Sequence, residues 1–153
     1  MATVKVKQSA HRLFGATAPY GNVTALAFAL ATTAAGAAIN SDQKTALAIG
    51  DVVDLGPLPE GMRLDDASLF VTTGMTATIT GSLGFIYEDG TVGDAAYFGA
   101  GLDLATAGRV RATGTKLLKL EKPARLILTT AVAANAKASS IQVVVTGEQL
   151  GAK

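Results

Sequence analysis

The chain has 153 residues, a net charge of +1 and no cysteine. Its length fits one ordinary domain, its near-neutral charge argues against a general nucleic-acid binder, and disulfides and thiolate metal sites are excluded. With 29 Ala, 18 Thr, 17 Gly and no Trp, the chain offers few large anchors for a core, which raises the expectation of an oligomer or of stabilisation on a partner surface.

Charge is unevenly laid out. Residues 51–103 hold nine acids against Arg63 alone, whereas residues 104–153 hold eight bases against Glu121 and Glu148. The simpler reading pairs acidic and basic strands across one sheet. The alternative sets faces of opposite sign against each other on neighbouring subunits.

Residues 1–21 contain Lys5, Lys7, His11 and Arg12 and no acid. They read as an extended arm ahead of a single domain over residues 22–153. The run from Ala25 to Ala31 imitates the apolar part of a secretory signal, but seven apolar residues are too few to span a bilayer. Strict alternation of Leu26, Phe28 and Leu30 with alanine predicts a strand with one bulky face. Thr32 to Ser41 reads as a small-residue connection, and Thr45 to Val53 as the next strand.

The centre of the chain is the corner Leu55-Gly56-Pro57-Leu58-Pro59-Glu60-Gly61. Its prolines and glycines disfavour both a helix interior and a central strand. Leu64 to Thr73 reads as a strand with Leu69 and Val71 on one face. In the next strand Leu83, Phe85 and Tyr87 alternate with Gly84 and Ile86. Asp89-Gly90 then marks a hairpin turn, and Tyr97-Phe98 close the meander.

Gly99 to Thr115 is punctuated by glycine, with Arg109 and Arg111 in alternation. Lys116 to Leu120 and Ala124 to Thr130 read as strands separated by Pro123, and Ala131 to Ser139 as an alanine-rich loop or short helical turn. Ser140 to Thr146 is the last strand. The count is about eight short strands and no long amphipathic helix, the pattern of an all-β antiparallel sandwich; a two-sheet jelly roll fits that complement.

Candidate chemistry is thin. Asp51, Asp54, Asp65, Asp66, Asp89 and Asp94 invite a paired-carboxylate or calcium site, but they read as solvated turn and edge acids, and the adjacent Asp65 and Asp66 point to opposite faces of a strand. His11 is the sole histidine and lies in the expected arm, a poor place for a preorganised triad. Gly99-Ala100-Gly101 lacks the lysine of a phosphate loop. Tyr20, Tyr87, Tyr97 and Phe98 suit a core better than a sugar-stacking platform. No catalytic, metal or cofactor site is expected.

The segment from Asp54 to Ala67, followed by Gly84-Phe85, Asp89-Gly90 and Ala96-Tyr97-Phe98, resembles small structural proteins of tailed bacteriophages. The type it is most similar to is the head decoration or cement protein, in particular the jelly-roll kind of short-tailed phages. The resemblance covers about a third of the chain. It implies a non-enzymatic virion protein, made in the bacterial cytoplasm and bound to the outer capsid surface, where it bridges neighbouring major coat subunits. It further implies a homodimer or homotrimer, with neither nucleic acid nor membrane as a partner. On this reading the contacts with coat come from Lys5, Lys7, His11 and Arg12 of the arm and from Pro57, Leu58, Pro59 and Arg63 of the corner. The rival expectation is a tail-associated or carbohydrate-binding module for receptor attachment, with a hydrolase third.

Overall fold

A computed structural model describes residues 1–7, 23–114 and 116–151. Every helix or strand among them is a strand: β1 (Thr3–Lys5), β2 (Val23–Thr32), β3 (Val52–Leu58), β4 (Met62–Thr73), β5 (Thr80–Tyr87), β6 (Asp94–Asp103), β7 (Gly108–Arg111), β8 (Leu118–Lys119), β9 (Ala124–Ala131) and β10 (Ser139–Gln149). They form two sheets, one in the order β1-β3-β9-β5-β6 and one in the order β2-β10-β4-β7, where β8 also pairs with β4. All pairings are antiparallel except β1 with β3. The chain crosses repeatedly from one sheet to the other, so this is the expected β-sandwich of the jelly-roll kind. The two strands not foreseen are β1 and β7.

The core lies between the sheets. Leu26, Phe28 and Leu30 of β2 are buried, as the alternation predicts, and Val143 and Val145 of β10 and Leu69 and Val71 of β4 join them. Val53, Leu55, Leu83, Phe85, Leu126 and Leu128 face them from the other sheet. The concern about a thin core is answered by placement. Of the described alanines only Ala37, Ala38, Ala67 and Ala124 are buried, while Ala25, Ala27 and Ala29 stand exposed on the outer face of β2. The large side chains are concentrated inside, and the small ones cover the outside.

Three expectations need correction. Residues 3–6 do not form a free arm. Val4 and Val6 are buried in the core, and β1 follows β3 in parallel from Val52 to Asp54. Thr45 to Asp51 is a loop, and β3 begins at Val52. The proline corner also intrudes into a strand, since β3 runs through Gly56 and Pro57.

That last result has a local cause. β1 accompanies β3 only as far as Asp54, and opposite Pro57 stands Arg125 of β9. Among the described residues β9 is therefore the only ladder partner at Pro57, so its missing N–H breaks no pairing on the other side. A bulge between Asp54 and Gly56 takes up the change, with Gly56 at φ 150°, a conformation that side chains disfavour. The turn itself is Pro59-Glu60-Gly61, closed by Met62 N donating to Pro59 O.

Candidate partner-binding surface

The residues singled out from sequence fall on two parts of the sandwich. Lys5 and Lys7 are exposed beside β3. Their backbone amides donate to Asp42 Oδ1 at 3.0 Å and to Asn40 O at 3.0 Å, which straps the N-terminal segment to the loop after β2. Lys5 registers with Asp54, three residues before Pro57, so these two lysines and Pro57 share one sheet edge. His11 and Arg12 lie outside the described residues.

At the corner, Pro57 and Pro59 are half-exposed. Leu58 is buried at 1% and serves the core, so it presents no side chain to a partner in this conformation. Arg63 is engaged within the chain: Nε lies 2.6 Å from Asp65 Oδ1, and Nη1 2.9 Å from Glu148 Oε2. The Asp65 hydrogen bond, joined by both carboxylate charges, raises the Arg63 pKa and holds it charged. The accessible part of the corner is therefore Pro57, Pro59 and one side of Arg63.

The acids act structurally. Asp65 serves Arg63, and Asp66 Oδ2 accepts from Arg111 Nη2 at 2.7 Å, so the adjacent carboxylates answer to different cations. Asp51 and Asp54 are buried, not solvated. Asp51 accepts from Ala2 N at 2.7 Å and from Ala48 N at 2.8 Å, while Asp54 is ion-paired to Arg125. Asp89 accepts from Lys122 Nζ at 2.6 Å and from Thr91, contacts that push its pKa well below the usual carboxylate range. Bases of the last third thus pair with Asp54, Asp66, Glu88 and Asp89 of the acidic middle within one molecule. Among the described residues no three of His, Asp and Glu group closely enough to hold a metal ion, and no helix is long and apolar enough to cross a membrane.

Tyr97 and Phe98 are buried and meet edge to face at 4.9 Å. The Tyr97 hydroxyl donates to the carbonyls of Leu64 and Lys116, and burial pushes the phenol pKa up. Tyr87 packs edge-on to Phe85 at 5.3 Å. These rings are core, as their scarcity predicts.

One polar hub escaped the sequence reading. Asn135 is 1% exposed. Its Oδ1 accepts from Thr76 N at 3.1 Å, and its Nδ2 donates to Thr32 Oγ1 at 3.0 Å and Lys137 O at 2.9 Å. It ties together the loops after β2, β4 and β9. The available signal was a lone amide inside the alanine run from Ala131 to Ala138.

No family model and no curated protein matches the sequence. Solved structures do match. A chain in the capsid of Ralstonia phage GP4 superposes with a TM-score of 0.63 at 23% identity, covering 99% of this chain and 100% of that one. A chain of the cyanophage Pam1 capsid asymmetric unit superposes with a TM-score of 0.60 at 20% identity, covering 92% of this chain and 94% of that one. At such identities the likeness is one of fold, and it extends over both chains nearly end to end.

Proposed function

We propose that this chain is a non-enzymatic virion structural protein that decorates the outside of an expanded phage capsid and cements neighbouring major coat subunits. The observation that carries the reading is the end-to-end correspondence with a chain from the Ralstonia phage GP4 capsid, 99% of one and 100% of the other. The phage-like corner and the structural employment of the acids support the same reading. Each acid with a described partner caps a backbone amide or neutralises a base, which is scaffold work and leaves no pair poised for acid–base chemistry.

Mechanistically, the sandwich is a rigid body that offers modest contacts from its edges, and a lattice multiplies them. Many weak contacts repeated over a shell give avidity without a strong single interface. On this account Lys5 and Lys7 meet an acidic coat surface, and Pro57 and Pro59 provide a stiff apolar rib whose ordering costs little entropy. A receptor-binding module is less well served, because Tyr97 and Phe98 are committed to the core.

The test is cosedimentation of the purified chain with capsid shells of its phage, before and after expansion. Saturable binding to expanded shells alone is the expected result. Failure to bind expanded shells would contradict the proposal.

A further inference from the structure

The second sheet ends on a short strand with a free edge. β7 follows β4 from Val71 back to Ser68 and is the last strand in the order of that sheet. Ala112 N donates to Ala67 O at 2.8 Å. By the alternation of an antiparallel ladder, Gly108 and Val110 then turn their backbone groups toward β4, and Arg109 and Arg111 turn theirs outward. Among the described residues no strand takes up the N–H and C=O of these two arginines. A Cβ built on Gly108 meets nothing within 4 Å, so the edge is open at its start as well.

The arginine side chains leave that edge clear, because both lean back across the outer face of β4. Arg109 registers with Phe70 and Arg111 with Ser68, and each hydrogen-bonds two residues further along β4. Arg109 lays its guanidinium over the Phe70 ring, 5.1 Å from the centroid, and its Nη2 donates to Ser68 Oγ at 3.1 Å. Arg111 Nη2 reaches Asp66 Oδ2 at 2.7 Å, with 68% of the Arg111 side chain still exposed. Among the described residues Arg109 meets no carboxylate.

This is not how a charge guards an edge. A guarding side chain projects its hydrated head into the path of an incoming strand. Arg109 is instead stacked on an aromatic ring and tied by one hydrogen bond, with donors of its fork to spare. Such a guanidinium has already given up much of the rotamer freedom that recognition costs.

We infer that the free edge of β7 takes up an extended acidic segment of a neighbouring chain of the shell as an added strand, with a carboxylate of that segment on Arg109. The inference rests on the shell-binding reading and adds a surface and the chemistry that meets it. The outward amides and carbonyls of Arg109 and Arg111 give the main-chain hydrogen bonds of an added strand. The carboxylate supplies the partner that Arg109 lacks within its own chain. A second copy docked edge to edge through β7 does not fit, since it sets arginine against arginine. A nucleic acid could meet Arg109 but has no peptide groups to complement the edge. So short an edge makes a modest contact, which a lattice multiplies.

The position suits a bridging protein. Thr113 N donates to Phe98 O at 2.8 Å, which places β7 on the flank of the sandwich that carries β6. Lys5 and Lys7 belong to the other flank, since β1 and β6 stand at opposite ends of the first sheet. A chain held at both flanks touches two neighbours.

The test compares wild type with Arg109→Glu, Arg111→Ala and Arg111→Pro in sedimentation velocity and in cosedimentation with expanded shells lacking this chain. Proline at position 111 removes an N–H that the β4 ladder does not use, so its difference from Arg111→Ala isolates the outward amide. Arg109→Glu is expected to weaken shell binding tenfold or more, and Arg111→Pro to bind about tenfold more weakly than Arg111→Ala. Amide hydrogen exchange of wild type, free and on shells, needs no variant: the amides of Arg109 and Arg111 should exchange more slowly on the shell. If these amides exchange equally fast in both states and Arg109→Glu binds as wild type, docking at this edge is overturned while the shell reading stands. If Arg109→Glu self-associates and keeps full shell binding, the arginine is a guard and the inference is overturned. If wild type self-associates through these amides and keeps them protected without shells, the occupant is a second copy and the acidic segment is overturned. If wild type does not bind shells at all, the shell reading falls and takes this partner with it.

Discussion

Arg125 closes over Asp54 across the β3–β9 ladder, with Nε 3.1 Å from both carboxylate oxygens and Nη2 3.0 Å from Oδ2. The pair straddles the bulge that lets β3 pass through Gly56 and Pro57. Asp54 is only 7% exposed in its side chain, against 29% for Arg125. Removing the arginine leaves a buried carboxylate without its cation.

Arg125→Met is therefore expected to destabilise the chain by roughly 2–4 kcal/mol, somewhat below the full cost of breaking a buried pair because Arg125 keeps one side in water. Denaturant unfolding measures this. Adding Asp54→Asn to Arg125→Met removes the uncompensated charge and recovers part of the loss. A double variant no more stable than the single would contradict this account of the corner.

Gly84 admits no side chain. A Cβ built there would lie 2.1 Å from Asp94 O and 2.4 Å from the Ala95 carbonyl carbon, so backbone on β6 would have to move. Gly84→Ala is expected to cost about 2–4 kcal/mol, in the range of severe backbone clashes. Far-ultraviolet circular dichroism with thermal unfolding checks it.

Asn135→Ala opens the hub that joins the loops after β2, β4 and β9. Thr76 N loses its acceptor and Gly36 O loses the donor that the buried Asn135 supplies, while the carbonyl of Lys137 keeps only Thr32 Oγ1. A loss of roughly 2–3 kcal/mol is expected from these unmet groups. Amide hydrogen exchange adds a specific readout: protection should fall first in the turns 33–36, 74–79 and 132–138.

Asp89 gives a pH signature. Hydrogen bonds from Lys122 and then Thr91 depress its pKa, so its contribution to stability is present above the unfolded carboxylate value of about 3.9. That contribution is lost as pH falls through the lower folded value. Asp89→Asn should accordingly be less stable than wild type at pH 7, and the gap should close in strong acid. A gap that stays constant from pH 7 to pH 2 would contradict the assignment.

Much of the fold was legible because alternation is a local property. Leu26, Phe28 and Leu30 announce β2, and Leu83 and Phe85 announce β5, without any knowledge of their neighbours. What stayed hidden depends on pairing across the chain. Val4 looks like part of a loose basic arm until β3 provides a parallel neighbour. Pro57 looks like a strand breaker until β1 is seen to stop at Asp54. Asp54 itself looks like a solvated edge acid until Arg125, far along the sequence, folds over it. Leu58, which the resemblance offers as a contact residue, turns its side chain inward, and no local pattern in the corner announces that. The positive φ of Thr78 and Val132, 71° and 72°, has no sequence signature, since both residue types are ordinary in strands.

The most direct test of the shell reading is the copy number of this chain in purified virions, measured by quantitative mass spectrometry against the major coat subunit. The account predicts a ratio near one or a simple fraction of it. A handful of copies per particle, or none, would contradict it.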